Sequence, residues 1–409
     1  MATALRVVLV VLALVALAAT GHADSGPIVV LVSFDGWRWD YFDRAHVPNL
    51  RALAARGVRA SDLIPVFPPK TFPNHYTLVT GLYPEHHGIV ANTMVEPGFP
   101  DRFTMSAQTA KDPRWWGGEP LWATATRQGR RAASMFWPGS EVPIGGVRPT
   151  FWMPFDDDVP NATRVQQVLD WLALPQSERP SFLTLYFSEV DHAGHDFGPD
   201  SREVLDAAGH LDEALGDLIA GVERLKLLDR TTVLVVSDHG MSQVSDTRRI
   251  FLDDDIDLST VNIVEWSPNL GLAPRTGSVD DVYRALKGKH PELAIYKREQ
   301  MPARLHYRES PRIPPIVGLP ADGWTITSHT RVADDLAAGR TTERGAHGFD
   351  PKYRSMHGLF VAAGPGVRQG LRVASLESVH VYDFVCELLG LTPAKNDGKK
   401  SATRKFLRD

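Results

Sequence analysis

The sequence predicts an α/β fold, with a mostly parallel central sheet flanked by helices and a smaller α+β insertion. Two observations carry this. Short apolar runs at residues 28–32, 182–187, 232–236 and 359–362 have the length and unbroken hydrophobicity of strands buried on both faces. Between them lie segments whose apolar residues recur at helical spacing. Strands that alternate with helices build a parallel sheet covered on both sides.

Residues 47–56 place Leu50, Leu53 and Ala54 on one face and stop at Gly57, a helix-ending signal. Residues 202–227 repeat apolar side chains at Leu205, Leu211, Leu215, Ile219, Val222 and Leu225. From about 255 to 344 the chain is richer in short polar turns and in proline. Pro311, Pro314 and Pro315 exclude a regular helix there. This stretch is the expected insertion, within a single catalytic domain spanning 24–409.

Of 409 residues, 44 are basic and 49 acidic, a net charge of −5. No basic stripe is present, so a polymeric nucleic acid is not the expected partner. At the N-terminus Arg6 precedes an apolar run over 7–19, followed by Thr20-Gly21-His22-Ala23. That run is short for a bilayer span and ends in small residues, so residues 1–23 read as a signal peptide cleaved after Ala23. No stable membrane insertion is expected after cleavage. The single cysteine, Cys386, sits in an apolar helical pattern and reads as a core residue. A secreted chain that cannot form an intramolecular disulfide suits a bacterial periplasmic or secreted protein. No obligate protein partner is evident.

The chemistry gathers where the strands end. The run 28–32 leads into Ser33-Phe34-Asp35-Gly36, the run 182–187 into Asp191, His192 and His195, and the run 232–236 into Asp238-His239. Open α/β sheets place their sites beyond the carboxyl ends of strands. Taken alone, Asp35 serves equally as a turn residue, and Asp238-His239 as a hydrogen-bonded turn. Asp191 and His195, four apart, meet on a helical turn, while His192 points elsewhere and is a bystander. Mixed Asp and His donors suit zinc better than calcium or magnesium. Two such ions about 4 Å apart can clamp the attacking and leaving oxygens of a displacement at phosphorus. A nucleophile is then needed, and Thr71 follows a proline-stiffened entry and precedes an apparent helix. Its hydroxyl is either a plain N-cap or, next to a metal, an activated nucleophile.

The run Lys70-Thr71-Phe72-Pro73-Asn74-His75-Tyr76, followed by Thr80-Gly81-Leu82-Tyr83-Pro84-Glu85 and His87-Gly88-Ile89, resembles the nucleophile segment of nucleotide pyrophosphatase/phosphodiesterases. These belong to the alkaline phosphatase superfamily, and the bacterial type is the one expected here. Nearly the whole mature chain shares the resemblance, including Gly117-Gly118-Glu119-Pro120-Leu121-Trp122, Phe136-Trp137-Pro138-Gly139-Ser140 and Gly194-His195-Asp196-Phe197-Gly198-Pro199. It implies an alkaline-phosphatase-like fold with two zinc ions. One would be held by Asp35, Thr71, Asp238 and His239, the other by Asp191, His195 and His347, with His357 the rival for the last position. It further implies that Asn92 hydrogen-bonds a phosphoryl oxygen and that Thr71 forms a covalent intermediate. Nucleotide phosphodiester and pyrophosphate bonds would be hydrolysed to nucleoside 5'-monophosphates, and the partner would be a small nucleotide.

Phe72, Phe155 and Tyr186 match the aromatics that sandwich the base in such enzymes, with Phe155 replacing a more usual tyrosine. Trp137 and Glu141 are further candidates for the same pocket. A monoesterase of the alkaline phosphatase type would use serine and an arginine clamp, and a sulfatase would need its own modified residue. A phospholipid or glycerophosphodiester phosphodiesterase on the same bimetal core is the main alternative. A catalytically silent binding protein is the remote one.

Overall fold

In the computed structural model, which describes residues 26–106, 108–340 and 343–408, eight strands form one sheet. In chain order they are β1 (Ile28–Phe34), β2 (Val58–Ala60), β3 (Ala132–Met135), β4 (Phe151–Met153), β5 (Phe182–Phe187), β6 (Thr231–Val236), β7 (Phe360–Ala363) and β8 (Leu371–Val373). Their spatial order is β8-β2-β7-β6-β1-β5-β3-β4. The five strands from β6 to β4 run parallel. β7 runs against both its neighbours, which makes the sheet mixed. The expected signal peptide, residues 1–23, lies outside the described residues. Among those described, no helix is long and apolar enough to cross a membrane.

Every residue of β1 is buried, because helices cover both faces. These are α1 (Pro48–Ala55), α2 (Thr71–Thr80), α3 (Asn161–Ala173), α4 (Glu189–Phe197), α5 (Arg202–Arg224) and α6 (Val381–Leu389). Val29 and Leu31 point into a core shared with Tyr76 and Leu78 of α2 and Phe384 of α6. Val30 and Val32 point the other way, toward Leu50 of α1, Val168 of α3 and Leu211 of α5. Each fully buried Val or Leu contributes roughly 1.5–3 kcal/mol, so β1 anchors the layers and holds Asp35 in place at its end.

Two local details of α1 were not legible in the sequence. Gly57 ends α1 for steric reasons: a Cβ there would lie 2.0 Å from the carbonyl oxygen of Ala362 in β7. The glycine therefore marks a close backbone approach and not a left-handed cap. The N-terminus of α1 lacks a cap of its own, and the buried Asp212 of α5 supplies one. Its carboxylate accepts from the backbone N–H groups of Asn49 at 3.0 Å and Leu50 at 2.7 Å.

The region after β6 holds a separate antiparallel sheet ordered Val261–Glu265, Leu270–Pro274, Ile316–Pro320 and Leu293–Lys297. With Val282 and Leu286 of the helix Val279–Leu286, it encloses its own small core. It meets the main sheet at a functional point. The buried Lys70, immediately before α2, donates to the carboxylate of Glu265 and to the carbonyl of Ser267 at 3.3 Å.

Candidate active site

Asp35 follows β1, Asp238 and His239 follow β6, and α4, which follows β5, carries Asp191 and His195. Parallel strands side by side deliver these side chains to one edge of the sheet. Gly36 lets the segments crowd together: its φ is +68°, and a Cβ there would lie 2.7 Å from the Asp191 backbone. Two groups result. Asp35, Asp238 and His239 form one, Asp191, His195 and His347 the other, each with ligand atoms within 4.8 Å of one another. The groups are adjacent, because the rings of His239 and His347 stack at 3.6 Å.

The donor atoms are oriented as metal ligands require. His239, His195 and His347 each donate Nδ1–H to a backbone carbonyl, of Gly240 at 2.9 Å, Gly345 at 3.0 Å and Pro69 at 2.9 Å. Each Nε2 lone pair is thereby turned inward. Asp35 Oδ1, Asp191 Oδ1, Asp238 Oδ2 and His239 Nε2 are buried without a hydrogen-bond partner among the described residues. Orphaned buried acceptors are costly. Four of them converging with mixed O and N chemistry fit a zinc-type ion.

Electrostatics agree. Burial first, then the charges of Asp238 and Asp191, hold Asp35 well above the usual carboxylate range. Burial likewise raises Asp191 and Asp238, and lowers His239 and His347. Three carboxylates in one dry site repel one another until a cation joins them. Burial acts to lower His195, but the carboxylates of Asp191 and Glu343 outweigh it and push it up to about 9.

That shift has a measurable sign. In metal-free protein His195 binds its proton more tightly folded than unfolded, so its contribution is complete below about pH 6.5 and is lost as pH rises toward 9. At about 1.4 kcal/mol per tenfold, the loss is on the order of 3–4 kcal/mol at most. Urea titrations of chelated protein should show this decline. Zinc-loaded protein should not, because a nitrogen that holds a metal cannot hold a proton. A flat chelated profile would rule it out.

Thr71 is the first residue of α2, and the cap position falls on Lys70. Its hydroxyl has no hydrogen-bond partner among the described residues, and the residue lines a cavity of about 480 Å³ together with Asp35 and Asp191. Phe72, Phe155, Tyr186, Trp137 and Glu141 line it too. Phe155 is 52% exposed, whereas Tyr186 is only 8% exposed. Asn92 accepts from the backbone N–H of Phe72 at 3.0 Å through Oδ1, and its amide N–H groups have no partner among the described residues. His192 stands apart from both groups on the cavity wall, 3.6 Å from Asp157. His357 does not join either group: its ring nitrogens face Asp62 at 3.0 Å and the carbonyl of Pro351 at 2.8 Å.

One residue was missed from the sequence. The fully buried His75, on α2, accepts from the hydroxyl of Ser33 at 2.8 Å through Nε2 and donates through Nδ1 to the carbonyl of Thr71 at 2.8 Å. It ties the first turn of α2 to β1. A histidine inside a helical pattern carries no signal of such a role.

The family model for type I phosphodiesterase / nucleotide pyrophosphatase matches residues 29–350. Venom phosphodiesterase CdcPDE of Crotalus durissus collilineatus is 35% identical over 396 residues, covering 93% of this chain but 46% of that protein. Bis(5'-adenosyl)-triphosphatase enpp4 of Mus musculus is 37% identical over 390 residues, covering 94% of this chain and 82% of the relative. The solved structure of murine ectonucleotide pyrophosphatase/phosphodiesterase 5, an inactive threonine-to-alanine variant in complex with AMP, superposes with a TM-score of 0.88 at 35% identity. That match covers 94% of this chain and all of the other, and it bears out the alkaline-phosphatase-like α/β fold. With most of its length matched by model, sequence and structure alike, the chain belongs to the type I phosphodiesterase / nucleotide pyrophosphatase family.

Proposed function

We propose that this chain hydrolyses nucleotide phosphodiester and pyrophosphate bonds, releasing nucleoside 5'-monophosphates through a covalent Thr71 intermediate. The observation that carries the reading is the convergence of two Asp/His groups with orphaned donor atoms beside an unpartnered threonine hydroxyl in an aromatic cavity. Asp35, Asp238 and His239, joined by Thr71, would hold one zinc ion, and Asp191, His195 and His347 a second. When bound, such ions lower the pKa of a hydroxyl and offset charge on phosphoryl oxygens.

The chain's own residues do the rest. Thr71 sits at the N-terminus of a ten-residue helix, where the helix dipole favours an anionic phosphoryl group. Its hydroxyl gives up its proton and its oxygen attacks phosphorus, the bond to the leaving oxygen breaks and that oxygen departs with a proton in exchange, and a nucleotidyl-threonine ester forms. Water then cleaves that ester, returns the proton to Thr71 and releases the monophosphate. The amide N–H of Asn92 offers a donor to a non-bridging oxygen. Phe72, Phe155 and Tyr186 offer faces for the base, and stacking tolerates different bases. The names of the relatives, among them a dinucleoside triphosphatase, and the AMP bound to the structural neighbour support a nucleotide substrate.

We further place the protein in the periplasm or outside the cell, with residues 1–23 as its leader and 24–409 as one catalytic domain. The relatives named are from snake and mouse. The support for a bacterial type is the single cysteine, buried in the core.

A direct rate comparison tests the substrate class. A nitrophenyl ester of thymidine monophosphate and a dinucleoside triphosphate should be cleaved at least about tenfold faster than glycerophosphocholine, the worth of one stacking contact. Faster cleavage of glycerophosphocholine would transfer the assignment to the lipid-type alternative.

A further inference from the structure

Resting on the reading above, we propose that the hydroxyl of Tyr186, whose ring already lines the cavity, is a positioning group for the metal-binding carboxylate of Asp35. Tyr186 is the penultimate residue of β5 and lies opposite Ser33 of β1, two residues before Asp35. From there its Oη donates to Asp35 Oδ2 at 2.6 Å. The other oxygen, Oδ1, has no hydrogen-bond partner among the described residues and lies 3.5 Å from His239 Nε2. One oxygen of the carboxylate is thus occupied by a fixed donor, and the other is turned into the group of ligands. A free carboxylate rotates about its Cβ–Cγ bond, and this hydroxyl removes that freedom.

The tyrosine is itself immobilised. It is 8% exposed, with its ring 5.3 Å from the buried ring of His75 and 5.9 Å from that of Phe155. The two aromatics therefore divide the work. Phe155 is half exposed, has no hydroxyl and offers only a face. Tyr186 offers a face and a donor, so the base-binding wall and the metal site share one side chain. Partners that orient a ligand in this way are worth roughly 10- to 100-fold in metal affinity.

Tyr186→Phe and Phe155→Ala in the full chain separate this role from base binding. Zinc affinity is read by competition with a chromophoric chelator. Base binding is read as the adenosine inhibition constant at saturating zinc, with a nitrophenyl thymidine monophosphate ester as substrate. Tyr186→Phe should weaken zinc by about 10- to 100-fold and leave adenosine inhibition within about twofold, and excess zinc should restore turnover lost at limiting zinc. Phe155→Ala should weaken adenosine by about tenfold or more and leave zinc unchanged. Retained adenosine inhibition shows that Tyr186→Phe is folded. Wild-type zinc affinity in Tyr186→Phe, or turnover that excess zinc does not restore, would overturn the positioning role alone. Parallel loss of zinc and adenosine would make the tyrosine a scaffold residue and overturn it too. Wild-type protein that holds no divalent metal would overturn the functional reading as well.

Discussion

Thr71→Ala is expected to lower kcat by at least about ten-thousand-fold, the scale on which removing a covalent nucleophile acts. The substitution is structurally mild. The hydroxyl makes no hydrogen bond among the described residues, and the helix cap falls on Lys70, so no orphan is left behind. Alanine is a better helix former than threonine, and stability should stay within about 0.5 kcal/mol of wild type. Asp35, Asp238 and His239 remain, as does the Asp191 group, and bound nucleotide should be retained. Thr71→Ser should recover part of the rate, because it restores an oxygen at the same atom. The check is turnover of a nitrophenyl nucleotide ester alongside AMP binding. Full turnover by Thr71→Ala would eliminate the covalent route, and loss of AMP binding would show that the variant had damaged the cavity.

Much of this arrangement was legible because buried parallel strands read as continuous apolar runs. Those ending before Asp35, Asp191 and Asp238 stand out for that reason. β3 does not, since Ala132–Met135 is built of small residues, and β4 is three residues at the sheet edge. The direction of β7 is equally invisible, because a strand's orientation depends on how the chain returns to the sheet.

Inside the site, the aspartates and histidines at the strand ends announced themselves by type, whereas His347 came only through the family resemblance. Side chains that act through a partner showed no such signal. His75 acquires its role only from Ser33 and the Thr71 carbonyl. The hydroxyl of Tyr186 matters only because Asp35 lies within 2.6 Å. Lys70 reads as part of a motif, yet its contact is Glu265, 195 residues away in the insertion. A buried ion pair of this kind is costly to break from one side, and it links the entry of α2 to an element that composition alone marks as peripheral.

The second large effect comes from Asp238→Asn, and its two consequences have opposite signs. Asp238 is fully buried, and burial holds its carboxyl well above the usual range, so without metal its charge is a burden on the fold. Oδ1 accepts from the backbone N–H of Gly36 at 3.3 Å, which an asparagine carbonyl can also do. Among the described residues Oδ2 has no hydrogen-bond partner; it lies 3.1 Å from His239 Nε2, itself an orphaned acceptor, and 3.3 Å from His75 Nδ1, whose hydrogen goes to the Thr71 carbonyl. An amide N–H at that atom would donate to His239, satisfying both orphans, and the gain in metal-free protein should be about 1–3 kcal/mol. The same amide removes an anionic ligand and occupies the nitrogen lone pair that a metal needs. Zinc content should fall by one ion per chain and turnover by several orders of magnitude. Chelated wild type should therefore unfold at lower urea than chelated Asp238→Asn, and zinc should reverse the order. If the chelated variant is the weaker protein, the carboxylate stabilises the fold in its own right, and the metal is not what this buried charge is there to meet.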